Sequence, residues 1–215
     1  MASKHTAGYQ LSQWEKTDKI LMEDFNGDNT KIDKALRLHD ARLLGVPALG
    51  RNLYNLFLQQ KNAGQDVSWM QGLVYDDFSD QSKIESMEEH LSWSASEQCI
   101  VFQTSREEEC EAALTTTELL LNLTHTCGMV LTRCDIFYNP KVEIWDNSGS
   151  AWVELDVIDG SRREQNLPST ASIYEVAYLV PRQFSFSKIK LRITLRERYL
   201  RLKTFRLYNY CFMAF

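Results

Sequence analysis

Beyond Gly64 the apolar residues recur at every second position, and the helical spacing of the earlier segment does not return. That single change constrains the fold more than any motif does. Every backbone N–H and C=O of an alternating segment needs a partner on another strand. Without helices between the strands, short connections allow only antiparallel pairing. Strands are expected near Leu73–Tyr75, Lys83–Trp93, Gln98–Gln103, Ala112–Leu123, Gly128–Tyr138, Lys141–Asp146, Ala151–Ile158, Ser172–Val180, Phe184–Leu195 and Leu200–Ala214. Strands this frequent, divided by polar turns, imply an antiparallel β-sandwich, read here as a jelly roll. In the clearest of them Ile189, Leu191, Ile193 and Leu195 share one face, and Lys188, Lys190, Arg192 and Thr194 the other.

The clearest hairpin joins Lys141–Asp146 to Ala151–Ile158. Val142 and Ile144 alternate inward, as do Val153, Leu155 and Val157. A turn over Asp146–Gly149 sets Lys141 opposite Glu154. A longer loop sets Glu143 opposite Glu154, a repulsive pair, so the first register is expected. In both, Trp145 and Trp152 fall on the outward face, diagonal to one another. With Tyr174 and Tyr178 on a nearby strand they could form an aromatic platform for sugar rings. Burial as core or in a subunit contact is the competing reading, and the one favoured.

Ahead of Gly64 the period is helical. Ser12 and Glu15 have capping-box spacing. Trp14, Asp18, Leu21, Phe25, Asp28, Ile32, Ala35 and His39 then recur at alternating steps of four and three. Gly45 and Pro47 end this helix; a second, from Ala48 to Asn62, carries Leu49, Leu53, Leu56 and Phe57 and stops at Ala63-Gly64. The expected fold is therefore α+β: an N-terminal helical hairpin or coiled-coil segment over residues 1–65, then the sandwich over 66–215. A seam holding Asp18, Asp28 and His39 is weak alone. Trp14, Leu21, Phe25, Ile32 and Leu36 are accordingly expected to make attachment and oligomerisation contacts, in a homotrimer rather than a dimer.

The wording of this stretch is more specific than its period. Trp14-Glu15 and Asp18, followed by Asp24-Phe25-Asn26, Asp28-Asn29 and Lys31-Ile32-Asp33, resembles the opening of tail-fibre and baseplate proteins of bacteriophages and prophages, especially those of gut Gram-positive bacteria. A weaker echo lies at Asp66–Phe78. The resemblance ends near Ala35. It implies a structural part that joins its protein to a virion tail, with other tail proteins as partners and with no catalytic residue or cofactor. Synthesis in a bacterial cytoplasm is the matching expectation, since the N-terminus lacks the apolar stretch of a secretory signal. A receptor-recognition module for a host-surface glycan and a capsid decoration protein are the alternatives.

Other chemistry is poorly represented. Asp24, Asn26, Asp28 and Thr30 match the first, third, fifth and seventh positions of a calcium loop. However, Asn29 stands where the sharp turn needs Gly, and Ala35 where a bidentate Glu belongs, so no metal is expected. Cys99, Cys110, Cys127, Cys134 and Cys211 are scattered, without Cys-x-x-Cys, and read as reduced, mostly buried thiols. No Gly-x-Ser-x-Gly, Walker A loop, dinucleotide fingerprint or His-Glu-x-x-His occurs. His125 and Cys127 share a strand face but lack a third group. A protein without enzymatic activity is expected.

The formal net charge of −5 points to neither nucleic acid nor a membrane surface, and no apolar run reaches membrane-spanning length. Charge is nevertheless unevenly spread. Nine basic residues and one acid lie between Arg182 and Arg206, and eight Glu and one Arg between Glu85 and Glu111. A basic stripe could grip an anionic polymer such as cell-wall teichoic acid. The near balance of the two runs favours acidic strands lying beside basic ones.

Overall fold

The computed structural model describes residues 2–43, 45–68, 70, 72–104, 109–120, 128–135, 139–146, 150–158, 161–166, 172–180, 188–197 and 204–214. The chain forms two compact units, Met1–Gly45 and Val46–Phe215. The break falls after Gly45, not near residue 65, so the second helix belongs with the strands.

In the first unit β1 (Lys4–His5) and β2 (Ser12–Gln13) make an antiparallel ribbon. The helix α1 begins only at Met22 and runs through Gly27 to Leu43. Ser12, expected to cap it, lies in the ribbon instead. Glu23 and Asp24 in the first turn suit the positive end of the helix dipole. Gly45, at a φ of 65°, follows the helix in the left-handed conformation that closes it.

Three aspartates tie the unit together. Asp28 accepts the Ser12 amide at 2.8 Å and Asp24 the Ala2 amide at 3.0 Å. Asp18 accepts the amides of Ser3 and Glu15 at 3.0 and 2.8 Å, and the Ser3 hydroxyl at 2.8 Å. Hydrogen bonds from Glu15 and Ser3 hold the Asp18 carboxyl below its ordinary pKa. Burial would raise Asp28, but bonds from Ser12 and Lys31 outweigh it and lower the group. The acids that interrupt the apolar seam are thus the acceptors for ribbon and turn amides. The calcium-like stretch from Asp24 lies inside α1 and is not a loop.

The apolar side chains of α1 point outward instead of into a seam. Met22 is 69% exposed, Phe25 51%, Ile32 41% and Leu36 60%. Trp14 and Leu21 are half-buried in the segment that leads to the helix.

The second unit opens with α2 (Val46–Asn62), which carries Pro47 in its first turn, where a missing N–H costs no helical bond. Gly64, at a φ of 69°, and the amide of Gln65 bonded back to the Gln60 carbonyl close it. The strands follow as β3 (Leu73–Asp76), β4 (Ile84–Met87), β5 (Leu91–Ser94), β6 (Cys99–Gln103), β7 (Cys110–Thr116) and β8 (Leu119–Leu120). Then come β9 (Gly128–Cys134), β10 (Lys141–Asp146), β11 (Ala151–Glu154), β12 (Asp156–Val157), β13 (Arg163–Asn166) and β14 (Ser172–Val180). The last are β15 (Lys188–Ile189), β16 (Leu191–Glu197) and β17 (Thr204–Ala214).

A five-stranded sheet has the order β11-β10-β16-β7-β4. An eight-stranded sheet runs β12-β14-β9-β17-β6-β5, with β13 beside β14 and β3 beside β17; β8 and β15 form a ribbon of their own. The two large sheets share one core. Leu114, Ile144, Leu191 and Ile193 meet Phe102, Val130, Val176, Tyr178 and Phe212 there.

The expected class is corrected by this arrangement. The chain is mostly antiparallel sheet, and it is not a helical hairpin or coiled-coil segment followed by a sandwich. Among the described residues there are two helices. One is bound to a β-ribbon through carboxylates, and the other is a layer of the β unit. Alternation did locate most strands, and Lys141–Asp146 and Ser172–Val180 have the expected bounds. The single strand expected over Lys83–Trp93 is two, in different sheets, broken at His90 with a φ of 76°.

The two sheets differ on their outer faces. Almost every residue of β9 and β14 is buried on both sides, and α2 supplies the second cover. Arg51 donates from Nη1 to Glu175 at 2.6 Å and from Nη2 to the Ser161 carbonyl. The Tyr54 hydroxyl reaches Asn209 at 3.3 Å, and the Phe57 ring lies 5.2 Å from that of Tyr75. On the five-stranded sheet the alternation persists to the surface. Val142 and Ile144 are in the core, while Lys141 and Trp145 are half-exposed.

Candidate functional site

The open face of the five-stranded sheet carries the tryptophan pair. The β10/β11 hairpin aligns Glu143 with Glu154, Ile144 with Val153 and Trp145 with Trp152. This is the register that charge repulsion disfavours, and a third residue explains it. Lys141 Nζ lies 2.9 Å from Glu143 and 3.8 Å from Glu154, so one ammonium serves both carboxylates. Arg192, opposite Glu143 on β16, donates to it at 2.6 Å. Burial would raise Glu143, yet the bonds from Arg192 and Lys141 prevail and hold it below its ordinary value. The same bond to Glu143 raises Arg192.

Trp145 and Trp152 are therefore direct cross-strand partners, not diagonal ones. Their rings meet edge to face, 5.3 Å between centroids and 68° apart in plane. The Arg192 guanidinium sits 4.8 Å above the Trp152 ring. Both indoles remain half-buried: they cover each other and line a cleft of about 320 Å3 with Glu118, Lys188, Ile189 and Lys190. Lys188 pairs with Glu118 at 2.9 Å, and Lys190 with Glu85.

Tyr174 and Tyr178 are not part of this platform. Both lie on β14, in the other sheet. Tyr178 is a core residue whose hydroxyl donates to the Pro140 carbonyl at 2.6 Å. Tyr174 is buried under Arg162, whose guanidinium is 4.5 Å from its ring. Glu85, Glu118 and Glu143 join the site through strands distant in the chain, which no local pattern marks. Alternation had already sent Lys188, Lys190 and Arg192 outward, and the cross-strand neighbours of those cations were the usable signal.

The two charge runs lie side by side. Arg196 on β16 pairs with Glu111 on β7 at 2.8 Å, and Arg206 on β17 with Glu97 at 2.5 Å. The described members of the basic stripe, Lys188, Lys190, Arg192, Arg196 and Arg206, are thus each matched by an acid within the unit. Cys99, Cys110, Cys134 and Cys211 are free thiols, and burial pushes Cys99 up to about 11, which makes it a poor nucleophile at neutral pH. His125 and Cys127 lie outside the described residues. Among the described residues no cluster of three His, Cys, Asp or Glu could hold a metal ion, and no helix is long and apolar enough to cross a membrane. The face offers flat apolar rings beside paired donors and acceptors, which is binding chemistry.

No protein-family model matches the chain, and no curated protein matches it in sequence.

Proposed function

We propose that this chain is a structural, non-enzymatic part of a phage or phage-like particle, a tail-fibre or baseplate component that joins the tail through Met1–Gly45 and carries Val46–Phe215 as its body. The supporting observation is the outward apolar set of α1. Met22, Phe25, Ile32 and Leu36 follow steps of three, seven and four, so they share one side of the helix. All are more than two-fifths exposed. Met22, Phe25 and Ile32 fall in the segment that resembles virion attachment sequences and Leu36 follows it directly, while Asp18, Asp24 and Asp28 are engaged within the unit. An apolar stripe of this kind marks an interaction surface. Its occupant in this reading is a second and third copy of the segment, or another tail protein.

Light scattering on the full chain tests this. The wild type should be an oligomer, and a Phe25→Asp, Leu36→Asp double variant a monomer with the melting temperature of its β unit unchanged. A wild type that stays monomeric at high concentration, together with a double variant that still enters particles, would refute the reading.

A second reading, recognition of a glycan on the host surface, draws on a different observation. The outer face of the five-stranded sheet holds Trp145 and Trp152 beside an open cleft. A particle component can carry both roles, one on each unit.

A further inference from the structure

We infer that the cleft beside Trp145 and Trp152 takes an uncharged sugar ring of a neutral glycan, read by ion pairs and not by a basic patch. This rests on the glycan-recognition reading above and adds the ligand's charge and the groups that contact it. The cleft, of about 320 Å3, is at the small end of ligand-site volumes and suits one or two sugar rings.

The charge balance decides the class. Among the described residues each cation at the cleft already has a carboxylate: Lys188 with Glu118, Lys190 with Glu85, and Arg192, over the Trp152 ring, with Glu143. A phosphate or uronate would have to displace one of these acids to gain a cation. A cationic ligand would meet the converse obstacle. A neutral polyol faces neither. Lys188 Nζ and Glu118 Oε2, 2.9 Å apart, present one donor beside one acceptor. Adjacent sugar hydroxyls are matched to that arrangement, because one can accept from the ammonium while its neighbour donates to the carboxylate. Bonds to charged partners are also the stronger ones.

The indoles supply the remaining contact. The C–H face of a pyranose is apolar and flat, and Trp offers a large rigid surface with little conformational entropy to lose. Arg192 lies over the Trp152 ring and fixes that indole, and both indoles line the cleft.

The experiment is calorimetric titration of the full chain, with tryptophan emission as a second signal. The neutral probes are maltohexaose, cellohexaose, chitohexaose and a galactan fragment. The anionic probes are polygalacturonate and poly(glycerol phosphate). At least one neutral probe should bind, with an affinity that holds between about 50 and 500 mM NaCl, a range over which exposed charge–charge attraction is screened. Trp152→Ala should weaken it by about tenfold or more. Glu118→Gln and Lys188→Met alter half-exposed side chains, so they should weaken it too while leaving the melting temperature in place. Binding confined to the polyanions and lost in salt would overturn the neutral ligand and leave glycan recognition standing. Absence of binding to either class by folded protein would overturn both. Neutral binding indifferent to all three substitutions would put the site elsewhere and overturn the assignment.

Discussion

The two outer faces of the β unit are built from the same alternating strands and have opposite fates. On the eight-stranded sheet α2 closes over Glu175, Asn209 and Tyr75, and Glu175 and Asn209 hold the helix through Arg51 and Tyr54. On the five-stranded sheet no described element lies over Trp145 and Trp152, and the polar groups pair laterally with one another. The difference is one of direction. Bonds that run perpendicular to a sheet fasten a layer, whereas bonds that run along it leave a surface that is stiff and still accessible. Only the second can meet a ligand.

That contrast sets a ranking of mutational effects. Phe57→Ala removes a buried ring from the covered face and should cost about 3–5 kcal/mol in urea unfolding. Trp152→Ala on the open face loses an edge-to-face pair and a cation–π contact and should cost only about 1–2 kcal/mol. Equal costs would mean the two faces are equally covered.

Glu143→Gln probes the lateral network through pH. The folded carboxyl lies below its unfolded value of about 4.3, so the stability it contributes is complete above that pH. That contribution is lost as pH falls through the lowered folded pKa. The gap between wild type and variant should therefore be widest near neutrality and close in acid. A gap independent of pH would show that the ion pairs contribute nothing. The same sign applies to Asp18 and Asp28 in the first unit, so the protection factors of the Ser3 and Ser12 amides should fall as acid protonates these carboxylates below their ordinary range of about 3.9. The smallest effect is expected for Glu118→Gln, within about 0.5 kcal/mol in stability, since this acid is well exposed.

Much of the β unit could be read from its residues, and the failures have definite causes. Alternation places Lys141–Asp146 and Ser172–Val180 because a strand with a buried face must repeat at two. It cannot fix a register that depends on a third side chain, as the Glu143/Glu154 pairing depends on Lys141. It cannot assign β14 to a sheet, so alternation alone does not separate Tyr174 and Tyr178 from the tryptophans. The apolar run Val176–Val180 does hold a signal: a strand greasy on both faces needs cover on both, and α2 is that cover. In the first unit the period of α1 is real, but a count of apolar positions ignores backbone donors. Asp18 and Asp28 read as flaws in a seam because their partners are main-chain amides. Glu85 reads only as one member of an acidic run, and Glu118 carries no signal, because their partners Lys190 and Lys188 are distant in the chain.

One feature of the large sheet bears on how the protein is made. β17 lies at its centre, with β9 along one side and β6 and β3 along the other. A ribosome that has delivered residues 46–197 has produced β9 and β6 with no strand between them. Each then presents a bare hydrogen-bonding edge, of the kind that recruits foreign strands. The sheet becomes continuous only when Thr204–Ala214 has emerged and threaded into the gap. Release before that point should yield aggregates and not a smaller folded protein, because β9, β6 and β3 are joined into one sheet only through Thr204–Ala214.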